Sequence, residues 1–143
     1  MLIFKRPSET EFRQVKRLVQ HYQLEADELH PEKFTILKSD EKLLAFGCLR
    51  VVDNYAEIEC VGVAEGQTGK GWGKMIVKKL LATGPETIWL ATDMPKYFEK
   101  FNFVPSKQVP RELSRKIIPV VEGAKPTVRN RVRAMVFSKK KML

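Results

Sequence analysis

Residues 66–75 read GQTGKGWGKM and hold four of the chain's eight glycines. Gly69, Gly71 and Gly73 occupy every second position, with Lys70 and Lys74 beside them. Glycine loses more backbone freedom on ordering than any other residue, so a cluster at the start of a regular element needs a reason. Upstream is a strand-like run ending at Val63. Downstream, Met75, Ile76, Val77, Leu80 and Leu81 recur at helical spacing until Gly84-Pro85 ends the pattern. The stretch is therefore a strand-to-helix turn. The first N–H groups of a helix have no intrahelical acceptor and carry partial positive charge. Glycines allow several of them to converge on one anion, and two lysines add charge. The turn predicts a pyrophosphate cradle; the plainer reading is a flexible tight turn.

Two familiar cradles do not fit. A P-loop needs a glycine five residues before Gly-Lys and then Ser or Thr. With Gly73-Lys74 as the pair those positions are Thr68 and Met75; with Gly69-Lys70 the first is Ala64. The dinucleotide fingerprint G-x-G-x-x-G is not met by evenly spaced glycines, and the preceding strands read as antiparallel rather than as part of a βαβ unit.

Working outward, Leu2–Lys5 reads as a short strand. Ser8 and Glu11 have capping-box spacing ahead of Phe12, Val15, Leu18 and Val19, predicting a helix over about 9–22. FTIL (34–37), KLLAFGCLRVV (42–52) and YAEIECVGV (55–63) read as an antiparallel meander. TIWLAT (87–92) is a buried strand, 96–101 a short helix, FNFVP the start of another strand and VRAMVF (132–137) a last one. Residues 106–127, with three prolines, have no clear periodicity. The order predicts an α/β (α+β) fold: a single mixed, mostly antiparallel central sheet flanked by helices.

The 143 residues are 43% hydrophobic and 30% charged, the balance of one globular domain over 1–143. No apolar run approaches the ~18 residues of a membrane span, and the N-terminus has no signal-peptide core. Two cysteines, Cys48 and Cys60, suggest no disulfide framework. A cytoplasmic protein is expected. The formal charge of +9 favours an anionic partner, and basic residues crowd 107–141. No His, Cys or carboxylate cluster has metal-ligand spacing, so no metal is expected. His21 and His30 have no evident partner and read as surface residues.

The arrangement resembles the GNAT superfamily of acyl-CoA N-acyltransferases. The residues that carry this are Val61-Gly62-Val63 and Thr68-Gly69-Lys70-Gly71-Trp72-Gly73, against a family loop Gln/Arg-x-x-Gly-x-Gly/Ala before a helix. Thr68 stands where the family has Arg or Gln, with Gln67 one place earlier. The resemblance implies that residues 68–74, Lys74 included, hold the pyrophosphate of acetyl-CoA, and that the strand Val61–Val63 serves the acyl carbonyl. KYFEKFNFVP (96–105) resembles the next family motif, Phe-Tyr-x-x-x-Gly-Phe. Here the aromatic pair is reversed to Tyr97-Phe98, and Asn102 replaces glycine. The family's tyrosine, an acid for the leaving thiolate, is matched by Phe98, which leaves Tyr97 as the candidate if it faces the site. AEIECVGV, YFEKFNFVPS, ELSRKI and RNRVRAMVFSKKK are similar, more weakly, to the acetyltransferase domain of N-acetylglutamate synthases, although Arg133 stands where that group tends to have serine.

The expected reaction is direct attack of a primary amine on acetyl-CoA in a ternary complex. Glu57 is the candidate general base, because some GNAT enzymes use the glutamate of a matching Ala-Glu-Ile stretch and burial would bring its pKa toward a useful range. Strict alternation sets Glu57, Glu59, Val61 and Val63 on one face of their strand. Glu59 is the substitute. Arg131, before the last strand, is the candidate grip for a small anionic acceptor such as an acidic amino acid. Trp72 is expected to pack the helix down. The rivals are a catalytically silent CoA-binding module, suggested by Phe98, and a basic nucleic-acid-binding protein. The latter is disfavoured because no stacking platform or recognition motif appears. A homodimer is compatible with the sequence and not required by it.

Overall fold

The computed structural model describes residues 1–24, 28–53, 55–114 and 132–139. Helix α1 (Glu9–His21) opens on the expected capping box: Ser8 Oγ accepts the Glu11 N–H at 3.2 Å, and Glu11 accepts the Ser8 N–H at 2.8 Å. Its stripe of Phe12, Val15, Leu18 and Val19 is buried. Strands β1 (Leu2–Lys5), β2 (Phe34–Ser39), β3 (Lys42–Val52) and β4 (Tyr55–Val63) pair antiparallel in sequence order. Helix α2 (Trp72–Thr83) then returns the chain to β5 (Thr87–Thr92). Helix α3 (Pro95–Glu99), β6 (Val104–Pro105), α4 (Arg111–Ser114) and β7 (Arg133–Ser138) follow. Among the described residues the sheet has seven strands in the order β1-β2-β3-β4-β5-β7-β6.

Side-chain alternation divides the core between the two faces. On one, the α1 stripe packs with Phe34, Ile36, Phe46, Cys48 and Cys60. On the other, Ile76, Val77, Leu80 and Leu81 of α2 pack with Ala56, Ile58, Ile88, Leu90, Phe103 and Met135. Gly47 lets α2 come close: a Cβ there would lie 2.5 Å from Ile76 Cγ2.

Two features depart from the sequence reading. β4 and β5 are parallel, so β4–α2–β5 is a βαβ crossover built around the glycine turn. The meander before it concealed this, because the parallel partner comes 24 residues or more later in the chain, roughly as a crossover requires. Second, β4 carries a bulge. Cys48 pairs with Cys60 but Leu49 pairs with Ile58, which leaves Glu59 as the extra residue. The alternation therefore changes phase. Ala56, Ile58, Val61 and Val63 belong to the α2 side, whereas Cys60 belongs to the α1 side. Glu57 and Glu59 do not share a face with Val61 and Val63 as strict alternation predicted.

Candidate active site

β4 is paired with β5 only at Ala56↔Ile88 and Glu57↔Trp89, although β4 continues to Val63. Beyond Glu57 its β5-facing edge has no strand partner among the described residues. Which groups point that way follows from one bond: Ala64 donates its N–H to the Leu44 carbonyl at 2.9 Å. In an antiparallel pair, hydrogen-bonded and open positions alternate. Gly62, opposite Phe46, therefore turns its amide groups to β3, while Val61 and Val63 turn theirs to the open edge. Of the three residues read as one binding segment, two present backbone to the gap. Gly62 serves packing, since a Cβ on it would meet the Phe46 ring at 2.5 Å.

The edge leads into the glycine turn. Gln67 donates its N–H to Ala64 at 3.0 Å, and Gly69 (φ 78°) and Gly71 (φ 84°) take left-handed backbone that other residues rarely adopt. Gly71 is the N-cap of α2, which has no side-chain cap and no acid in its first turn. The first-turn N–H groups are thus left for an external acceptor. A Cβ at Gly69 or Gly71 would meet nothing within 4 Å among the described residues, so the cradle has room for a ligand's phosphates. Thr68, Gly69, Lys70, Gly71 and Lys74 are exposed, and Trp72 and Gly73 are half-buried. The loop is braced from within. Gln67, 5% exposed, accepts from Trp72 Nε1 at 3.3 Å and from Lys70 Nζ at 3.4 Å. The glutamine one place before the family position is thus an internal support. Trp72 packs on the α2-side core, as expected.

Tyr97 reaches the same place. A methyl built on Gly73 would lie 3.6 Å from Val63 Cγ1 and 3.9 Å from the Tyr97 hydroxyl, so β4, α2 and α3 converge there. Burial raises the Tyr97 pKa above the ordinary phenol value. Its ring stands edge-on to Phe98 at 5.0 Å, and Phe98 packs edge-on against Phe103 at 5.8 Å. The reversed pair puts the hydroxyl toward the cradle and the phenyl into the core.

Glu57 is 2% exposed, and its Oε1 accepts from Arg50 at 2.7 Å. Arg50, its register partner on β3, also donates to Glu112 of α4 at 2.8 Å, and its Nε lies 3.8 Å from Glu59. A charge inside the apolar run KLLAFGCLRVV was the sequence signal for Arg50, and the opposing acids on β4 could have named its partners. Cys48 shares a hydrogen bond with Cys60, and this, then burial, pushes its thiol pKa up, which suits packing rather than nucleophilic attack. His21 and His30 lie at the surface, 3.5 Å from Glu65 and 3.0 Å from Glu28. Arg131 lies outside the described residues. No helix among the described residues is long and apolar enough to cross a membrane.

A strand running through a glycine loop into a helix is the order of elements that the resemblance implied, and the sequence model of the Acetyltransferase (GNAT) family matches residues 3–103. The chain belongs to the GNAT family. Among solved structures, N-acetylglutamate synthase from Neisseria gonorrhoeae, complexed with coenzyme A and L-arginine, is similar at a TM-score of 0.74 and 15% identity. The match covers 96% of this GNAT chain and 33% of that one, so the chain spans about a third of the synthase's length. A Mycobacterium tuberculosis protein in complex with CoA and NLQ matches at a TM-score of 0.73 and 18% identity, over 95% of this chain and 98% of that one. Diaminobutyrate acetyltransferase from Paenibacillus lautus, with L-2,4-diaminobutyric acid and coenzyme A, matches at 0.63 and 13%, over 96% and 95%. At these identities the likeness is one of fold. No curated protein sequence matches the chain.

Proposed function

We propose that this GNAT protein transfers an acetyl group from acetyl-CoA to the primary amine of a small molecule, by direct attack in a ternary complex, and that residues 1–143 act as one domain. The observation that carries this reading is the continuity of the open Val61–Val63 edge with the uncapped start of α2. The CoA in the Neisseria and Mycobacterium structures supports the choice of cosubstrate.

Acetyl-CoA supplies the activated acyl group and a good leaving thiolate. The chain supplies position and proton transfer. N–H groups of residues 69–74, with Lys70 and Lys74, hold the pyrophosphate, and Thr68 lies at the rim. The Val61 N–H, fixed in direction by the β3–β4 pairing, donates to the acyl oxygen as charge builds there. Glu57 takes the proton from the attacking amine, directly or through water, and Tyr97 returns one to the thiolate.

The acceptor is a small anionic amine, such as an acidic amino acid. Its carboxylate is held by Arg131, whose planar guanidinium can bind both oxygens. The amino-acid substrate in the Paenibacillus structure supports an acceptor of this size. The test is thiol release from acetyl-CoA across amino acids, polyamines and basic peptides. Turnover with acidic amino acids is expected. Reaction with cationic acceptors alone would remove the Arg131 assignment. CoA binding without turnover on any amine would make the chain a silent CoA-binding module.

A further inference from the structure

Tyr22 is the C-cap of α1, and its hydroxyl donates to the Val63 carbonyl at 2.8 Å across 41 residues of sequence. Val63 is the last residue of β4, where the strand has a neighbour, among the described residues, on the β3 side only. The peptide between Val63 and Ala64 is a rigid plane, with its C=O and N–H pointing in opposite directions. Leu44 accepts the Ala64 N–H at 2.9 Å from one side, and Tyr22 donates to the Val63 oxygen from the other. Tyr22 thus supplies the bond that a longer β5 would have supplied. The next link in the chain is the Gln67-to-Ala64 hydrogen bond that starts the glycine turn. We propose that Tyr22 is a positioning residue for the cosubstrate, holding the open edge of β4 in register with the glycine cradle.

Tyr22 is suited to this. Its ring packs on the α1-side core, which fixes the direction of the hydroxyl. Burial, and then the charge of Glu65, raise its pKa above the ordinary phenol value, so the hydroxyl stays a donor well into alkaline solution. The bond also sets the polarity of the edge. With the Val63 oxygen engaged, the remaining gap-facing groups are the Val61 N–H, the Val61 C=O and the Val63 N–H. A ligand amide can therefore donate at Val61 and must accept at Val63. The assignment rests on the acetyl-CoA reading of the site.

Tyr22→Phe removes the hydroxyl and keeps the ring. The Kd for CoA, by titration calorimetry, and the KM for acetyl-CoA should both rise about fivefold, the equivalent of about 1 kcal/mol for one net hydrogen bond. At saturating acetyl-CoA, kcat should stay within about twofold of wild type. Amide hydrogen exchange should quicken in residues 61–67. Unchanged CoA affinity, with or without a lower melting temperature, would overturn the assignment and leave the bond a purely structural one. A wild-type chain that gives no CoA binding would overturn the cosubstrate reading itself, and Tyr22's role with it.

Discussion

The Arg50 guanidinium donates to the buried Glu57 carboxylate at 2.7 Å from the register position directly across the β3–β4 pair. The pair orients the carboxylate on its own side of β4, one turn of the strand pleat before the bulge that redirects Val61 and Val63. Glu57→Gln keeps the shape and removes the base. It should lower kcat about 100-fold near neutral pH, with CoA affinity nearly unchanged and partial recovery at high pH, where free amine is abundant. A kcat equal to wild type across the pH range, with chemistry rate-limiting in single-turnover experiments, would take Glu57 out of the mechanism.

Gly71 combines a left-handed φ of 84° with open space where a ligand would sit. Gly71→Val should weaken CoA binding at least tenfold and also cost about 1–2 kcal/mol from the unfavourable backbone. Gly66, with a φ of 78° and the same open surroundings, separates the two effects. Gly66→Ala should show a similar loss of stability with little change in CoA affinity. Equal losses of affinity in both variants would argue that strain, not phosphate contact, explains the Gly71 result.

Gln67 is the acceptor for the Trp72 indole N–H at 3.3 Å, deep in the cradle loop. Gln67→Leu would leave that donor without its partner, at a cost of about 1–3 kcal/mol. The expected readouts are a raised KM for acetyl-CoA and a shift in tryptophan emission. If neither moves, the glycines alone hold the loop in shape.

Glu11 links three elements: it closes the α1 capping box and bonds Lys5 of β1 at 2.8 Å and Lys38 of β2. Burial works against its charge, but the bonds from Lys38, Lys5 and Ser8 prevail and lower its pKa from 4.5 to about 2. Between those values the unfolded chain binds more protons at this site than the folded one. The stabilisation is therefore complete above pH 4.5 and is lost as pH falls toward about 2. Melting temperature measured from pH 6 to 2 should fall along this limb, and Glu11→Gln should be less stable at pH 6 with a flatter limb. Parallel curves for the two proteins would show that Glu11 contributes no linkage.

Much was legible before any coordinates, because it depends on local chemistry. The α1 capping box, the apolar stripe of α2 and its stop at Gly84-Pro85 are set within a few residues. So is the strand-to-helix turn at residues 66–73, which the clustered glycines mark on their own. The family motif at 61–73 followed from the same stretch.

What pairing decides was not legible. Strict alternation put Glu57 and Glu59 beside Val61 and Val63, and the bulge at Glu59 separates them, since a bulge depends on how two strands settle against each other and not on either alone. The short β4–β5 contact, which opens the binding edge, depends on where α2 delivers the chain. Reversal of Tyr97-Phe98 left open which way the hydroxyl faces, and the orientation of α3 turns it toward Gly73. Tyr22 carried no signal at all: its partner is a backbone carbonyl 41 residues away, and a carbonyl is the same in every residue. Sequence specifies the groups that a local conformation needs; only the closed sheet decides which distant groups meet.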